Sequence, residues 1–228
     1  MNDTLLVALA MIPALVVAIV FHEVAHGWTA LMLGDPTAKE RKRLSLNPIR
    51  HVDPFGTLIL PGLLILSGLP AFGWAKPVPV TKQRLNNPRF GMMAVAAAGP
   101  GTNLVLAALG SIVLGLLARA IGPEAGGLER FAFVSLSLFV AINVFLALFN
   151  LLPIPPFDGS HIVEGLLPER AARVYEKLLP FGLGLMILVL LVIPWLFPGL
   201  GLVERVVLPP VDWVQDKFMT LTAWVKGV

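Results

Sequence analysis

Long apolar runs dominate this sequence and limit the folds open to it. They cover Leu5–Leu33, Gly91–Ile121, Phe131–Leu152 and Leu178–Phe197. A helix needs about 20 mostly apolar residues to cross the hydrocarbon core of a bilayer. Hydrophobic residues make up 57% of the chain and charged residues only 14%, whereas about a quarter of the residues in soluble domains are charged. We therefore predict an all-α polytopic membrane protein, a helical bundle of about 4–6 transmembrane segments.

Basic residues indicate on which side of the membrane the loops lie. Two loops hold most of them: Lys39, Arg41, Lys42, Arg43 and Arg50 in the first, and Lys76, Lys82, Arg84 and Arg89 in the second. Loops rich in Lys and Arg stay in the cytoplasm, so both loops are predicted to be cytoplasmic and the N-terminus external. The net charge of +3 is explained by these loops. The expected environment is therefore a lipid bilayer, and no nucleic acid partner is expected.

The apolar stretch Thr57–Trp74 is interrupted more often than the other runs. Its interruptions are Pro61, Gly62, Gly68 and Pro70. Because a basic loop precedes the stretch and another follows it, the chain can enter and leave the membrane on one side, as a re-entrant hairpin. Such backbone is tolerated at membrane depth only where protein or water covers it. An ordinary kinked span is the alternative, and both readings stay open here.

The two ends of the chain carry further signals. No Lys or Arg precedes the first apolar run, so we expect that run to be retained as a span and not removed as a signal peptide. Near the other end, residues 210–226 place apolar side chains at alternating spacings of three and four. These are Val211, Val214, Phe218, Leu221 and Val225. The spacing predicts an amphipathic helix, which we expect at the membrane surface.

Two histidines and a glutamate interrupt the first apolar run. His22, Glu23 and His26 form the pattern H-E-x-x-H, and ionisable groups inside a span are rare and usually functional. On a helix, positions i and i+4 project from one face about 5–6 Å apart. Two imidazoles placed in this way can bind one zinc ion, and the glutamate beside the first histidine can hold a metal-bound water. The alternative is a pair of histidines that pack between helices, with Glu23 paired to an arginine.

A catalytic zinc site takes three protein ligands and keeps one position open, so a third ligand must come from another segment. The run Phe131–Leu152 is predicted to travel from outside to inside and is followed by a segment with Pro153, Pro155 and Pro156. Asp158 then lies on the same side as the two histidines. An Asp-Gly pair after prolines is by itself a common turn. The H-E-x-x-H pattern at matching depth favours a ligand role for Asp158.

Three motifs together resemble the site-2 protease family of zinc metalloproteases, which cleave substrates within the membrane. They are FHEVAH (Phe21–His26), AAAGPGTN (Ala96–Asn103) and NLLPIPPFDG (Asn150–Gly159). The resemblance implies one membrane-embedded metalloprotease domain over residues 1–228, with a catalytic core at about residues 5–167. The span at 178–197 and the helix at 210–226 follow this core. The chain leaves no room for the PDZ or CBS domains that many members carry, which fits a short prokaryotic form.

The resemblance also implies the chemistry of the site. His22, His26 and Asp158 would bind Zn²⁺, and Glu23 would act as the general base. The substrate would be a transmembrane protein, and the enzyme would be a multi-pass protein of a prokaryotic cell membrane with its active site toward the cytoplasm. A membrane scaffold or transporter with a structural metal site is an alternative, although it would not need Glu23. A peptidase acting on small peptides or loops would have the same active site.

Other polar residues receive weaker assignments. The resemblance implies that Asn150 holds substrate or stabilises the oxyanion. It gives Asn103 a structural or substrate-orienting role, and an amide that bridges two packed helices is an equally good reading. His51 and His161 match no ligand position, so we expect them to support neighbouring groups or to lie at an interface. A helical substrate must unwind before cleavage, and an edge strand would offset that cost. Thr57–Trp74 is the candidate for this edge or for a gate.

Overall fold

The computed structural model describes residues 3–67, 73–121, 126–201 and 203–227. In chain order the α-helices are α1 (Asp3–Met32), α2 (Thr37–Glu40), α3 (Leu60–Leu66), α4 (Pro88–Ala120), α5 (Gly127–Asn150), α6 (Asp158–Leu166), α7 (Glu169–Glu176), α8 (Gly182–Ile187), α9 (Ile193–Leu196) and α10 (Leu208–Lys226). Short 3₁₀ turns cover Pro48–His51, Lys82–Arg84, Leu179–Phe181 and Pro198–Leu200, and π-helical turns cover Pro54–Ile59, Leu188–Val192 and Val203–Val207. Within these described ranges there is no β-strand.

Four helical stretches of the described residues are long and apolar enough to cross a membrane. They are Leu6–Met32, Pro88–Ala120, Gly127–Asn150 and Glu169–Leu196. Each agrees with one of the apolar runs. The bounds of the first differ by one residue at each end, and the other three helical stretches begin earlier than predicted because they include the flanking polar sequence. The prediction of an all-α polytopic membrane protein is confirmed.

Helix α4 is the centre of the bundle and packs against α1, α5, α6 and α10. Glycines on α4 let the neighbouring helices approach closely, as small residues do in membrane proteins. A side chain at Gly110 would collide with Phe139 of α5. One at Gly115 would collide with Val225 of α10. The position of α4 therefore allows it to contribute groups toward both α1 and α5.

The two basic loops lie at the same end of the bundle. The Asn86 N–H, just before α4, donates to the carbonyl of Leu33, just after α1, at 2.8 Å. The guanidinium of Arg43 in the first loop donates to the carbonyl of Lys76 in the second, also at 2.8 Å. The C-terminal end of α1 and the N-terminal end of α4 are thus joined through these loops.

The stretch Thr57–Trp74 leaves this end of the bundle and returns to it. The Trp74 N–H donates to the Gly56 carbonyl at 3.1 Å, and the Thr57 hydroxyl donates to the Trp74 carbonyl at 2.9 Å. The apolar helical part, Pro54–Leu64, is shorter than a span, which needs about 17–25 residues. The two ends of the stretch are hydrogen-bonded to each other, and its helix is too short to cross the membrane. Both observations favour the re-entrant hairpin over the kinked span.

The edge-strand hypothesis for this stretch needs correction. Thr57–Leu60 is helical and not extended, so its backbone groups bond along their own helix and cannot pair with a substrate strand. Residues 68–72 of the stretch lie outside the described residues. After them, residues 73–80 form an irregular segment that passes close to H-E-x-x-H; we call this segment the strap.

The C-terminal helix is amphipathic, but its apolar face is covered by protein. Val211 of α10 is buried in one cluster with Ala107 of α4 and Val144 of α5. Further along, the Thr222 hydroxyl donates to the carbonyl of Ser111 in α4 at 3.2 Å. The expected position at the membrane surface is therefore corrected. The periodicity identified the apolar face, and that face packs on α4 and α5 in place of lipid.

Candidate metal centre

Three side chains predicted to bind zinc converge in the structure. His22 Nε2 lies 3.1 Å from Asp158 Oδ2, and His26 Nε2 lies 3.4 Å from the same oxygen. The two imidazole rings are 4.6 Å apart between centroids and nearly perpendicular. Among the residues that the structure describes, these three form the one group of histidine and acidic ligands close enough to hold a metal ion. The spacing on α1 and the return of the chain after α5 together produce this group.

The hydrogen bonds behind the rings determine which nitrogen faces the group. His26 Nδ1 lies 2.7 Å from the Val95 carbonyl, which can only accept, so we assign the proton of His26 to Nδ1. His22 Nδ1 lies 2.6 Å from Asn103 Oδ1, and the same assignment follows. Both Nε2 atoms therefore direct a lone pair at Asp158. Partners of this kind orient most metal-binding histidines in proteins.

This arrangement fits a cation such as zinc. Two imidazole lone pairs and a carboxylate oxygen face one another, and no proton lies between them in the assigned tautomers. Asp158 Oδ2 is buried without a hydrogen-bond partner, which is costly unless a positive charge compensates. Tetrahedral zinc with bonds of about 2.0–2.1 Å separates its ligand atoms by about 3.3–3.4 Å, close to the 3.1 and 3.4 Å found here.

Gly99 of α4 makes this close packing possible. A Cβ added at this position would lie 2.5 Å from His26 Nε2 and 2.6 Å from His22 Cε1. Both rings thus rest against a surface of α4 that has no side chain. The small residue in the motif AAAGPGTN is required by the approach of α4 to the ligands of α1.

The segment before α6 holds Asp158 rigidly. Phe157 is buried and packs edge-on against Phe149 of α5, with 4.7 Å between ring centroids. The hydroxyl of Tyr175 donates to the Pro153 carbonyl at 2.8 Å. A Cβ at Gly159 would collide with the carbonyl of Leu151. The carboxylate is therefore directed inward by a segment that packs against α5 and α7.

A second set of polar contacts anchors α6 itself. The Lys82 ammonium lies 2.5 Å from Glu164 Oε1 on α6 and 2.7 Å from Glu176 Oε1 on α7. Burial raises the pKa of Glu164, but the hydrogen bond and charge of Lys82 outweigh it and hold that pKa below its ordinary value. Arg89, at the start of α4, donates to the carbonyls of Gly165 and Leu167 at the end of α6. Basic residues of the second loop thus hold the helix that begins with Asp158.

Replacing Lys82 by methionine should destabilise the protein by about 1–3 kcal/mol, because the buried carboxylate of Glu164 loses the ammonium that pairs with its Oε1. Thermal unfolding in detergent, followed by circular dichroism, measures the effect. The matched control is Glu40→Gln, which removes the exposed ion pair with Arg84 and should change stability by less than about 1 kcal/mol. Equal losses in the two variants would contradict the anchoring role of Lys82.

The general-base candidate contacts the strap. Glu23 is half-buried, and its Oε2 accepts a hydrogen bond from the Val78 N–H at 2.7 Å. The strap is held in turn by Asp35, which is fully buried and accepts from the Thr81 N–H at 2.5 Å. One carboxylate oxygen of Glu23 is thereby held by the strap, next to His22 on α1.

The other residues predicted for the site, Asn103 and Asn150, do not belong to the group formed by His22, His26 and Asp158. Asn103 is fully buried and bridges helices through hydrogen bonds to His22 and Asn143; the expectation that it contacts substrate is corrected, because no face of it is accessible. Asn150 is half-buried, and its amide donates to the Leu146 carbonyl of its own helix at 2.9 Å. Its proposed role toward substrate stays a prediction.

The two other histidines support neighbouring segments. His51 is buried, and its Nε2 lies 2.7 Å from the Ser45 carbonyl within the first basic loop. His161 Nδ1 lies 3.3 Å from Glu164 Oε2 on α6. Neither side chain belongs to the group of three ligands, in agreement with the supporting roles expected for them.

Three groups around the site were not predicted from the sequence: the Val95 carbonyl, the Val78 N–H and the side chain of Asn143. Backbone groups carry no signal in the residue types. Asn143 could have been found from the sequence, since it is an amide within the otherwise apolar run of α5. Polar side chains within spans usually hydrogen-bond to another helix.

Comparison with known proteins identifies relatives of the chain. A family model described as "Peptidase family M50" matches residues 127–193. The chain is 39% identical to "Putative zinc metalloprotease YwhC" of Bacillus subtilis over 203 residues, 85% of this chain and 87% of that protein. It is 32% identical to "Putative zinc metalloprotease Rip2" of Mycolicibacterium smegmatis over 185 residues, 77% of this chain and 65% of that protein. For the protein of the same name from Mycobacterium tuberculosis H37Rv, the identity is 31% over 201 residues, 83% and 73% of the two chains. No solved structure matches the chain.

Proposed function

Because this chain belongs to peptidase family M50 and is a zinc metalloprotease, we propose that it hydrolyses peptide bonds in or near transmembrane segments of membrane proteins. The depth of the ligands carries the proposal. His26 and His22 precede the end of α1 at Met32 by six and ten residues, which is about 9–15 Å along the helix axis. A site at this depth in a membrane-spanning helix meets peptide bonds that lie at the same depth.

We assign the zinc ion to His22, His26 and Asp158, whose ligand atoms converge and of which Asp158 Oδ2 is buried without a hydrogen-bond partner. A bound zinc ion lowers the pKa of water from 15.7 toward about 7 and polarises a peptide carbonyl. The protein contributes the geometry. Asn103 and the Val95 carbonyl hold the two imidazoles with their Nε2 lone pairs toward Asp158.

Glu23 is the residue that moves protons. Its carboxylate accepts a proton from the attacking water as the new C–O bond forms, and it then gives this proton to the leaving nitrogen as the C–N bond breaks. The Val78 N–H bonds Oε2 of Glu23, which leaves the other oxygen to carry the proton. The same hydrogen bond keeps the carboxylate from rotating away from His22.

The membrane makes access to this chemistry difficult. The peptide groups of a transmembrane helix are bonded within the helix, and each one left unpaired in lipid costs several kcal/mol. A substrate must therefore unwind where polar groups can replace its hydrogen bonds. Glu23 is half-buried and accepts a hydrogen bond from the strap, so polar groups that are not fully buried lie beside His22. We place this opening on the cytoplasmic side, because both basic loops lie at that end of the bundle.

Cleavage of a membrane-embedded peptide tests the proposal. The purified protein in lipid vesicles should cut a single-span peptide within the half of the span that faces the basic loops. A pair of glycines near the cut should speed the reaction about tenfold, because each glycine lowers helix stability by about 1 kcal/mol. Mass spectrometry locates the cut, and a chelator followed by added zinc provides the control.

Two outcomes would count against the proposal. Cleavage confined to short water-soluble peptides, with membrane peptides intact, would leave a metalloprotease of a different substrate class. Full activity after complete removal of zinc would overturn the assigned metal centre.

A further inference from the structure

Behind the metal centre, a chain of buried amides joins three spans. His22 Nδ1 lies 2.6 Å from Asn103 Oδ1, and Asn103 Nδ2 donates to Asn143 Oδ1 at 2.8 Å. Asn143 Nδ2 donates in turn to the Phe139 carbonyl at 2.8 Å. Asn103 and Asn143 are both completely buried. These hydrogen bonds run from His22 on α1 through Asn103 on α4 to Asn143 on α5, and we call them the amide relay.

Backbone carbonyls determine the direction of every bond in the amide relay. The Phe139 carbonyl can only accept, so the amino group of Asn143 must face it and the Asn143 oxygen must face α4. The Ala18 carbonyl likewise accepts from Asn103 Nδ2 at 3.2 Å. With two acceptors on its amino side, Asn103 has only its oxygen to offer His22. A flipped Asn103 would place its oxygen against two other oxygens.

The direction of the relay decides where the proton of His22 lies. An oxygen at Nδ1 requires a proton on Nδ1, which leaves Nε2 free to bind a metal. An amino group there would favour the opposite tautomer, with a proton on Nε2 that faces Asp158. We propose that Asn143 is a positioning residue for zinc binding: through Asn103 it keeps His22 in the tautomer that binds metal. This inference rests on the assignment of His22 as a ligand.

The size of the effect follows from the number of bonds that orient Asn103. The hydrogen bonds to the Ala18 carbonyl and to Asn143 both oppose a flip of the Asn103 amide. Removing Asn143 takes away one of them and leaves one buried N–H of Asn103 without a partner. Loss of such supporting groups typically lowers metal affinity 10–100-fold. We expect Asn143→Leu to weaken zinc binding about tenfold, at the lower end of this range.

Two substitutions of Asn143 by residues with the same number of side-chain heavy atoms separate the effect of the hydrogen bonds in the amide relay from the effect of packing. Asn143→Leu keeps the number and branching of the side-chain heavy atoms and removes both hydrogen bonds. Asn143→Asp keeps an oxygen toward Asn103 and, as the neutral acid that burial favours, donates to the Phe139 carbonyl. Zinc affinity, measured by competition with a chromophoric chelator, should fall about tenfold in the first and stay within about threefold of wild type in the second. If Asn143→Leu does not accumulate, Asn143→Ala supplies the same comparison.

The tautomer of His22 can be measured by NMR in the metal-free protein. The chain has four histidines, so ¹⁵N-histidine labelling gives four imidazoles, and His22→Gln identifies the one of interest. At about pH 8, where an ordinary imidazole is neutral, His22 of the wild type should carry its proton on Nδ1. The share protonated on Nε2 should rise in Asn143→Leu. Ser111→Ala, which removes another buried polar group on α4, should leave the tautomer and the zinc affinity unchanged.

The outcomes distinguish the relay from the metal assignment. Wild-type affinity and an unchanged tautomer in Asn143→Leu would overturn the relay while His22 remains a ligand. A proton on Nε2 of His22 in the wild type would also overturn it. Zinc binding that is the same in the wild type and in His22→Gln would instead overturn the metal centre on which the relay depends.

Discussion

Replacing Glu23 by glutamine leaves the zinc content of the purified protein unchanged and lowers the rate of peptide cleavage by about 10²–10⁴-fold, the usual contribution of a general base. Glutamine has the shape of glutamate and keeps an oxygen that can accept from the Val78 N–H. It cannot take a proton from water at neutral pH. The three ligands are untouched, so metal binding and catalysis are separated.

The measurement combines elemental analysis of zinc with the rate of cleavage of a membrane peptide in vesicles. Glu169→Gln is the control, because Glu169 lies exposed in the first turn of α7 and should change neither quantity. Loss of zinc in Glu23→Gln would indicate that Glu23 is itself a ligand. An unchanged rate would remove it from the mechanism.

The sequence was most informative where hydrophobic length or motif spacing decided the structure. Uninterrupted apolar runs define spans because a bilayer has a fixed thickness, and four such stretches were found in the described residues. The H-E-x-x-H pattern places His22 and His26 on one face, since i and i+4 are neighbours on a helix. Asp158 followed from topology, because a chain that crosses the membrane and returns brings its next polar segment to the same depth.

The sequence was least informative about what covers a given surface. The periodicity near Val211 identifies an apolar face, but the same face can lie on lipid or on another helix. Its burial against α4 and α5 depends on glycines such as Gly115, whose partner is more than 100 positions away. The edge-strand prediction for Thr57–Trp74 was wrong at Thr57–Leu60 for a related reason. Prolines and glycines indicate that a regular span is interrupted, but a short π-helical turn is one of several structures compatible with them.

Most of the groups that orient His22 and His26 were also not predicted from the sequence. A search for zinc ligands examines histidines and acids, whereas the groups that orient the ligands here are a backbone carbonyl, a glycine and two amides. For Asn103 the sequence left two readings open, a substrate-orienting role and an amide that bridges two packed helices, because the residue type suits both. Its burial between α1 and α5 shows that the same residue type can instead hold the histidine from behind.

Gly99 gives the clearest test of this close packing. Gly99→Ala should abolish zinc binding at concentrations that saturate the wild type, with loss of cleavage, because the new Cβ would lie 2.5 Å from His26 Nε2 and 2.6 Å from His22 Cε1. Neither ring can retreat easily, since hydrogen bonds to Val95 and Asn103 hold them from the other edge. Added volume in a packed site costs about 1–3 kcal/mol, so the protein should still fold.

Gly101, two residues further along α4, is the matched control. A Cβ at this position meets nothing within 4 Å, and alanine stabilises a helix by about 0.5–1 kcal/mol relative to glycine. Gly101→Ala should therefore bind zinc as the wild type does and unfold at a slightly higher temperature. The same substitution should thus have opposite consequences at two nearby glycines of one helix, because Gly99 is buried against the imidazoles and Gly101 is exposed. Normal zinc affinity in Gly99→Ala would mean that α4 lies farther from the histidines than the structure places it.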